Sequence, residues 1–141
     1  MAETKYGKHI RKDLIKETEG SFAAGYSVLA HEGELDIDCS IGYHCITAPI
    51  EFDRPHAHEF GELLCFLGGN PEDVRDLGAE IYICLGEEQE KHVIDTAAVV
   101  SIPAGLVHCP LEIKNVTKPF IFLEVSLTPK YGPSVARTKK E

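Results

Sequence analysis

The chain has 141 residues, of which 43% are hydrophobic and 26% charged, so it is long enough to form one domain with a real hydrophobic core. Its formal net charge of -9 excludes a broad basic surface, which argues against a nucleic acid or an anionic membrane as a partner. No apolar run is long enough to span a bilayer, and residues 1–15 contain no signal-peptide core, so we expect a cytoplasmic protein.

The character of the chain changes at residue 21. Residues 1–20 are mixed in charge and are predicted to be an N-terminal arm, in which 12–19 could form one or two helical turns. Residues 22–29 are aromatic and small apolar residues. Residues 35–38 alternate apolar with acidic side chains, a pattern that predicts a strand with one solvated face, and 40–47 are predicted to be the next strand.

Short predicted strands separated by turns continue to the end of the domain. These strands cover 62–67, 79–85, 89–95, 97–102, 108–113 and 120–127. The segment 68–78 is rich in glycine, proline and acidic residues and is predicted to be a loop. Regularly spaced strands without an amphipathic helix indicate an all-β sandwich or barrel. We therefore expect one all-β domain over 21–127, followed by a C-terminal tail over 128–141.

Residues 55–62, with the sequence PHAHEFGE, contain the first group of metal-binding side chains. Side chains alternate across a strand with a period of two, so His56, His58 and Glu62 share a parity and can face the same side of a sheet. Two neutral imidazoles and one carboxylate that point inward form most of a divalent-metal site.

A fourth candidate ligand, His108, lies far downstream and follows the turn residues Pro103 and Gly105. Inward-facing positions on neighbouring strands can converge on a point, so we expect His108 to join the first three ligands. Three imidazoles and one carboxylate suit iron, manganese, zinc, nickel, copper or cobalt, and suit calcium poorly. Four protein ligands on an octahedral ion leave two positions for a substrate, O₂ or water.

The order of these residues resembles the two signature motifs of the cupin superfamily. The resemblance covers 41–127 and rests on His56-x-His58-x-x-x-Glu62, a strand that ends at Gly68-Gly69, and Pro103-x-Gly105-x-x-His108. It implies a single-domain cupin-type jelly-roll β-barrel with one metal ion bound by the two histidines and the glutamate of the first motif and the histidine of the second. Cupins are often homodimers, so the resemblance also implies a homodimer.

Two functions are compatible with such a site. The first is a metal-dependent enzyme acting on a small polar molecule, because cupins of this size include dioxygenases, isomerases, lyases and decarboxylases. A nonphosphorylated carboxylate or carbonyl compound is preferred, because only Arg54, Lys91 and Lys114 are available near the motifs to bind a phosphosugar. The alternative is a non-catalytic metal or small-ligand binding module or sensor, which needs the same pocket without an acid–base group.

Five further residues are candidates for the pocket. Glu124 is the candidate catalytic residue, because a glutamate within the apolar run 120–125 needs solvent, a partner or a pocket. His44 and His92 lie on predicted strands and could face the interior. Arg54 precedes the first motif, and Tyr82 fits packing better than binding but could donate a hydrogen bond to a ligand.

The five cysteines form no CxxC pair and are predicted to be reduced thiols within the core. Cys109 follows His108 directly. By strand alternation its side chain is expected to point away from the metal.

Overall fold

The computed structural model describes residues 4–17, 25–31, 33–52, 54–128 and 137–138, and these are almost entirely β-structure. One turn of 3-10 helix, Gly7–His9, is the only helix within those ranges, and none there is long and apolar enough to cross a membrane. The strands are β1 (Ile15–Glu17), β2 (Tyr26–Ala30), β3 (Ser40–Ile46), β4 (Ile50–Phe52), β5 (His56–Ala57), β6 (Glu62–Leu67), β7 (Asp76–Leu85), β8 (Glu90–Thr96), β9 (Ala98–Ile102), β10 (His108–Lys114), β11 (Phe120–Ser126) and β12 (Arg137–Thr138).

These strands form two antiparallel sheets. The first sheet has the order β1-β2-β3-β11-β6-β9. The second has the order β12-β5-β10-β7-β8, and β4 also pairs with β10. The prediction of an all-β fold is confirmed, whereas the described strands do not close into a single barrel.

One hydrophobic core takes side chains from both sheets. In β7 every second residue is buried, namely Leu77, Ala79, Ile81 and Ile83, which is the alternation of a strand with one face against a core. The first sheet contributes aromatic side chains such as Phe66, which is fully buried. Each large apolar side chain among these, such as Ile81 or Phe66, contributes roughly 1.5–3 kcal/mol to the free energy of unfolding.

Both ends of the described chain join the sheets, which the sequence pattern did not predict. The helical turns that 12–19 could form are not found at Ile15–Glu17, which is extended and pairs with β2 as the edge of the first sheet, and 18–19 lie outside the described residues. Near the other end, Arg137–Thr138 pairs with β5. Both segments are too short and too polar to show a strand period in the sequence.

The strand predicted over 35–38 is also wrong, because these residues form bends between β2 and β3. The N-terminal arm holds this loop: Arg11 donates to the carbonyl of Glu34, and His9 pairs with Asp36. A four-residue alternation of apolar and polar side chains forms a strand only if another strand lies beside it to pair with. Here the segment beside it is the irregular N-terminal arm.

Candidate metal centre

Strand pairing brings the two predicted motifs together. His56 on β5 lies directly opposite His108 on β10. Glu62 begins β6, which pairs with β9, and the turn after β9 donates the amide of Gly105 to the carbonyl of His58 at 2.9 Å. Gly105 has a φ of 89°, a left-handed conformation that favours glycine. The turn therefore attaches the second motif to the first at the backbone.

Three imidazole rings meet at this junction. One ring nitrogen from each of His56, His58 and His108 lies within 4.8 Å of the other two. The ring centroids are 4.3 Å apart for His56 and His108, 4.9 Å for His56 and His58, and 5.2 Å for His58 and His108. His58 and His108 are only 3% and 2% exposed, so bulk water is largely excluded from their rings.

Glu62 adds a carboxylate to the three rings. Its Oε1 lies 3.5 Å from Nε2 of His58 and 3.4 Å from Nε2 of His108, and the residue is 4% exposed. Two donor atoms about 2.1 Å from one ion lie about 3.0 Å apart at a right angle and about 3.4 Å apart at the tetrahedral angle. The observed separations are therefore those of donors that can share one ion.

Backbone carbonyls determine which ring nitrogens carry protons. Nδ1 of His56 donates to the carbonyl of Arg54 at 2.8 Å, and Nδ1 of His108 donates to the carbonyl of Leu106 at 3.0 Å. A carbonyl can only accept, so Nδ1 is protonated and Nε2 of the neutral ring keeps its lone pair. Carbonyl partners of this kind orient metal-binding histidines.

Burial favours the neutral form of two histidines of the cluster. It lowers the pKa of His58 to about 4 and places the pKa of His56 below its ordinary value. The charge of Glu62 acts in the opposite direction on both residues but does not outweigh burial. Because a metal binds the neutral imidazole, His56 and His58 are already in the protonation state that a divalent transition metal requires.

Two supporting side chains were not predicted from the sequence. Phe60 stacks on the ring of His58, with centroids 4.7 Å apart and planes at 14°. Ser126 donates its hydroxyl to Oε2 of Glu62 at 3.3 Å, across the β6–β11 pairing. Ser126 lies two residues after Glu124 on β11, so the two side chains share a face of the strand. This shared parity could have identified Ser126 from the sequence.

A cavity of about 240 Å³ opens beside the cluster. Phe52 from the second sheet and Phe122 from the first form part of its apolar wall. Its titratable wall consists of His56, Glu62, His108, Cys109 and Glu124.

The position of Cys109 corrects the expectation from strand alternation. The β7–β10 register is irregular between His108 and Leu111, and Cys109 has a φ of 83°. An irregularity of this kind interrupts the alternation of side chains, so Cys109 lines the same cavity as its neighbour. The residue is also part of the core, and all five cysteines are free thiols, of which Cys65 and Cys109 are buried.

The structure brings two of the five further candidates together. Glu124 lines the cavity, and its Oε2 accepts a hydrogen bond from Nε2 of His44 at 2.9 Å. The two side chains are 24% and 13% exposed, respectively.

The other three candidates lie outside the cavity wall. Arg54 is exposed and contributes its backbone carbonyl to His56. Tyr82 lies on the face of β7 opposite the buried positions, where its hydroxyl donates to Glu80. His92 is exposed on β8 and pairs with Glu90.

Comparison with solved structures finds oxalate decarboxylases. The enzyme of Lactobacillus farciminis, in complex with formate, matches 89% of this chain at 18% identity with a TM-score of 0.55. The Bacillus subtilis enzyme, in a study of its Mn(II) centres, matches 89% of the chain at 14% identity with a TM-score of 0.53. The chain spans only 33% and 30% of those two proteins.

At this identity the matches show the fold alone, and at that level they confirm the resemblance found in the sequence. No protein-family model matches the chain, and no curated protein has a significant sequence match.

Proposed function

Because this chain has the fold of the cupins, we propose that it is an enzyme that uses one divalent transition metal to act on a small polar molecule. The supporting observation is the convergence of His56, His58 and His108 with Glu62 beside a cavity, in which all but His56 are buried. In this proposal these four residues are the metal ligands. The jelly-roll closure of the barrel and the cytoplasmic location remain predictions from the sequence.

The donor set supports a borderline transition metal rather than calcium or magnesium, because three imidazoles and one carboxylate provide more nitrogen than oxygen. Manganese is our first choice, since the Bacillus subtilis oxalate decarboxylase of similar fold has Mn(II) centres. Iron, zinc, nickel, copper and cobalt suit the same ligands.

The cavity favours a small carboxylate or carbonyl compound. Its volume of about 240 Å³ lies below the roughly 300–1,000 Å³ of pockets for drug-sized ligands. The cationic side chains that a phosphosugar would need lie elsewhere: Lys91 and Lys114 lie over the ring of Tyr82, on the outer face of the second sheet. The similar folds belong to enzymes named for oxalate, a small dicarboxylate.

Each part of the cavity has a distinct role in this proposal. A bound divalent metal supplies Lewis-acid activation of a carboxylate, carbonyl or water oxygen. The carbonyls of Arg54 and Leu106 keep two imidazoles in the coordinating tautomer, and Ser126 orients Glu62. The apolar side chains of the wall reduce the contact of a bound anion with water, which strengthens its electrostatic interactions.

The alternative, a non-catalytic metal or small-ligand binding module, requires the same cavity without an acid–base group. Glu124 places a second carboxylate in the cavity wall in addition to Glu62. That carboxylate favours the enzyme over the binding module.

Metal analysis tests the proposal. After reconstitution with Mn²⁺, we expect about one ion per chain, and none in a His56→Ala, His108→Ala double variant. His92→Ala is the matched control, because this histidine is exposed and also pairs with a glutamate. A wild-type protein without metal, or a double variant that keeps it, would contradict the proposal. If metal-loaded protein binds oxalate and other small carboxylates but converts none, the binding module is favoured.

The outer face of the first sheet supports a homodimer as part of this proposal. One row of paired residues crosses all six strands and carries no charge: Ile15, Val28, Tyr43, Leu123, Cys65 and Val99. Of these, Ile15 is 62%, Val99 56% and Tyr43 41% exposed, whereas Cys65 is 7% exposed. Exposed apolar side chains in an uncharged row are typical of an interface, and a second copy offers the same row by two-fold symmetry.

Replacing Tyr43 with lysine tests the dimer. Because the side chain is already exposed, the variant should fold, and we expect its mass by light scattering to be that of a monomer while the wild type is a dimer. Val93→Lys is the control, since Val93 is 57% exposed on the second sheet. A wild-type monomer, or a dimer unaffected by Tyr43→Lys, would contradict this assignment.

A further inference from the structure

Glu124 is a charged residue on an inward face that is otherwise apolar or small. On β11, Phe120, Phe122 and Ser126 share its parity and are buried. A carboxylate in such a place is costly unless it is hydrogen-bonded. The side chain of Glu124 is 24% exposed, so it is neither a solvated surface group nor fully enclosed.

Two hydrogen bonds in series hold this carboxylate. Nε2 of His44 donates to Oε2 of Glu124 at 2.9 Å, and Ser27 Oγ lies 2.7 Å from Nδ1 of the same ring. With Nε2 protonated, Nδ1 of a neutral imidazole is an acceptor, so the Ser27 hydroxyl donates to it. Ser27 is 2% exposed, which rules it out as an accessible nucleophile and makes it an anchor for the ring.

The backbone opposite Glu124 leaves room for this arrangement. Gly42 on β3 is the cross-strand partner of Glu124. A methyl group at Gly42 would lie 3.1 Å from Nε2 of His44 and 3.4 Å from Oε2 of Glu124. An alanine at this position would therefore crowd His44 and touch Glu124.

Glu124 lies in the wall between two cavities. One is the 240 Å³ cavity beside the candidate metal ligands. The other has a volume of about 80 Å³ and a mixed lining, in which Leu29 and Ile41 lie beside the polar residues His31, Ser40, His44 and Ser126. A cavity of this size with several polar partners has room for ordered water. The carboxylate can thus exchange a proton with a molecule in the first cavity and with water in the second.

We propose that Glu124 is the acid–base group of the metal cavity and that His44, anchored by Ser27, is its positioning residue. This inference rests on the proposed function and adds the group that moves the proton. As a base, Glu124 forms an O–H bond to a proton of the substrate, and the electron pair of the broken bond stays on the substrate. As an acid, it returns that proton to the product, or exchanges it with water in the smaller cavity.

The titratable groups that line either cavity with Glu124 come from several elements: His44 on β3, Glu62 on β6, His56 on β5, His108 and Cys109 on β10, and His31 after β2. Among the residues lining the 240 Å³ cavity, Glu62 and Glu124 are the two carboxylates. Glu62 lies against two histidines and Ser126, whereas the one hydrogen-bond partner of Glu124 among the described residues is His44, so Glu124 is the available proton carrier.

The experiment uses oxalate binding to Mn²⁺-loaded protein as a probe. Calorimetry at pH 7 in two buffers of different ionisation enthalpy gives the number of protons taken up on binding. A dianion that enters beside a carboxylate raises its pKa, so we expect uptake of up to about one proton in the wild type and almost none in Glu124→Gln. Glu112→Gln is the matched control, because Glu112 lies near Lys114 outside both cavities and should leave uptake unchanged.

The possible results separate the two proposals. If the wild type binds no Mn²⁺, the metal centre fails, and this inference fails with it. If Mn²⁺ binds but oxalate does not, or if Glu124→Gln takes up as many protons as the wild type, the metal centre stands and the role of Glu124 is overturned. Glu124→Gln must keep its metal, because Glu124 is not one of the proposed ligands.

A pair of variants tests the positioning role of His44. Without His44, the carboxylate of Glu124 is no longer held at the cavity wall beside the probe, so His44→Ala should lower proton uptake by about half or more. His44→Gln, whose amide can still donate to Glu124, should restore the uptake. Uptake that is unchanged in His44→Ala, or lost equally in both variants, would overturn the positioning role.

Discussion

Two histidine–glutamate pairs with almost the same geometry occupy different surroundings in this protein. His44 and Glu124 are 2.9 Å apart, with side chains 13% and 24% exposed, in the wall of the metal cavity. His92 and Glu90 are 2.7 Å apart on β8, with side chains 49% and 69% exposed. Distance does not separate these two pairs, whereas exposure does.

The candidate metal cluster contains a third histidine–glutamate pair, and both of its side chains are fully buried. The side chains of His58 and Glu62 are 1% and 3% exposed, and they lie 3.5 Å apart, farther than either of the two pairs. Water weakens a charge interaction and competes for each polar atom, so the exposed pair contributes little although it is the shortest. Burial, rather than proximity, marks the groups that can hold an ion or carry a proton.

The largest expected effect in this comparison is the loss of a buried imidazole. Removing a residue that only orients a ligand typically costs 10–100-fold in metal affinity, so removing the ligand His108 should lower Mn²⁺ affinity by more than about 100-fold. Calorimetric titration of His108→Ala with Mn²⁺ measures this directly.

The exposed histidine is the control for that variant. His92→Ala should keep the wild-type affinity, and equal losses in both variants would mean that burial does not distinguish the two sites.

The next effect concerns the hydroxyl that orients Glu62. Ser126→Ala removes the hydrogen bond to Oε2 and leaves the candidate ligands intact, so Mn²⁺ affinity should fall by about tenfold. The same titration on Ser101→Ala, an exposed serine of β9, should show no change. If Ser126→Ala binds Mn²⁺ as tightly as the wild type, this serine does not support the metal site.

A smaller effect is expected where the half-buried pair is crowded. Gly42→Ala places a methyl group 3.1 Å from His44, so the free energy of unfolding should fall by about 1 kcal/mol. Urea denaturation measures this change in stability.

Gly69→Ala is the control, because nothing packs within 4 Å of the added methyl group. The stability of this variant should equal that of the wild type or exceed it by less than about 1 kcal/mol. A stability of Gly42→Ala no lower than that of the wild type would show that the pair does not need the glycine.

The smallest effect is expected at the exposed pair. Glu90→Gln removes the charge opposite His92, and the free energy of unfolding should change by less than about 0.5 kcal/mol. Urea denaturation of this variant beside the wild type checks the value. If the free energy of unfolding falls by more than about 1 kcal/mol, the exposure of an ion pair does not indicate how much it contributes to stability in this protein.

The parity of side chains on strands explains why much of the site could be predicted. His56, His58 and Glu62 share a parity, and a proline–glycine turn precedes His108, so their convergence follows from sheet geometry. Glu124 was identifiable because a charge in an apolar strand needs a partner. Its partner, His44, lies 80 residues away in sequence, and only the β3–β11 register places the two together.

The predictions that failed depend on features without a local period. Cys109 enters the cavity because of a register irregularity, which no alternation pattern contains. The pairing of Ile15–Glu17 with β2 depends on a tertiary neighbour rather than on its own pattern.

X-ray absorption spectroscopy of the zinc-loaded protein identifies the ligands of the ion, because Zn²⁺ suits the same residues and its distances to nitrogen and to sulfur differ. We expect imidazole scattering from three histidines, with nitrogen and oxygen neighbours at about 2.0–2.2 Å. A sulfur neighbour at about 2.3 Å would instead place Cys109 or another thiol on the ion. That result, or the absence of imidazole scattering, would contradict a centre built from His56, His58, His108 and Glu62.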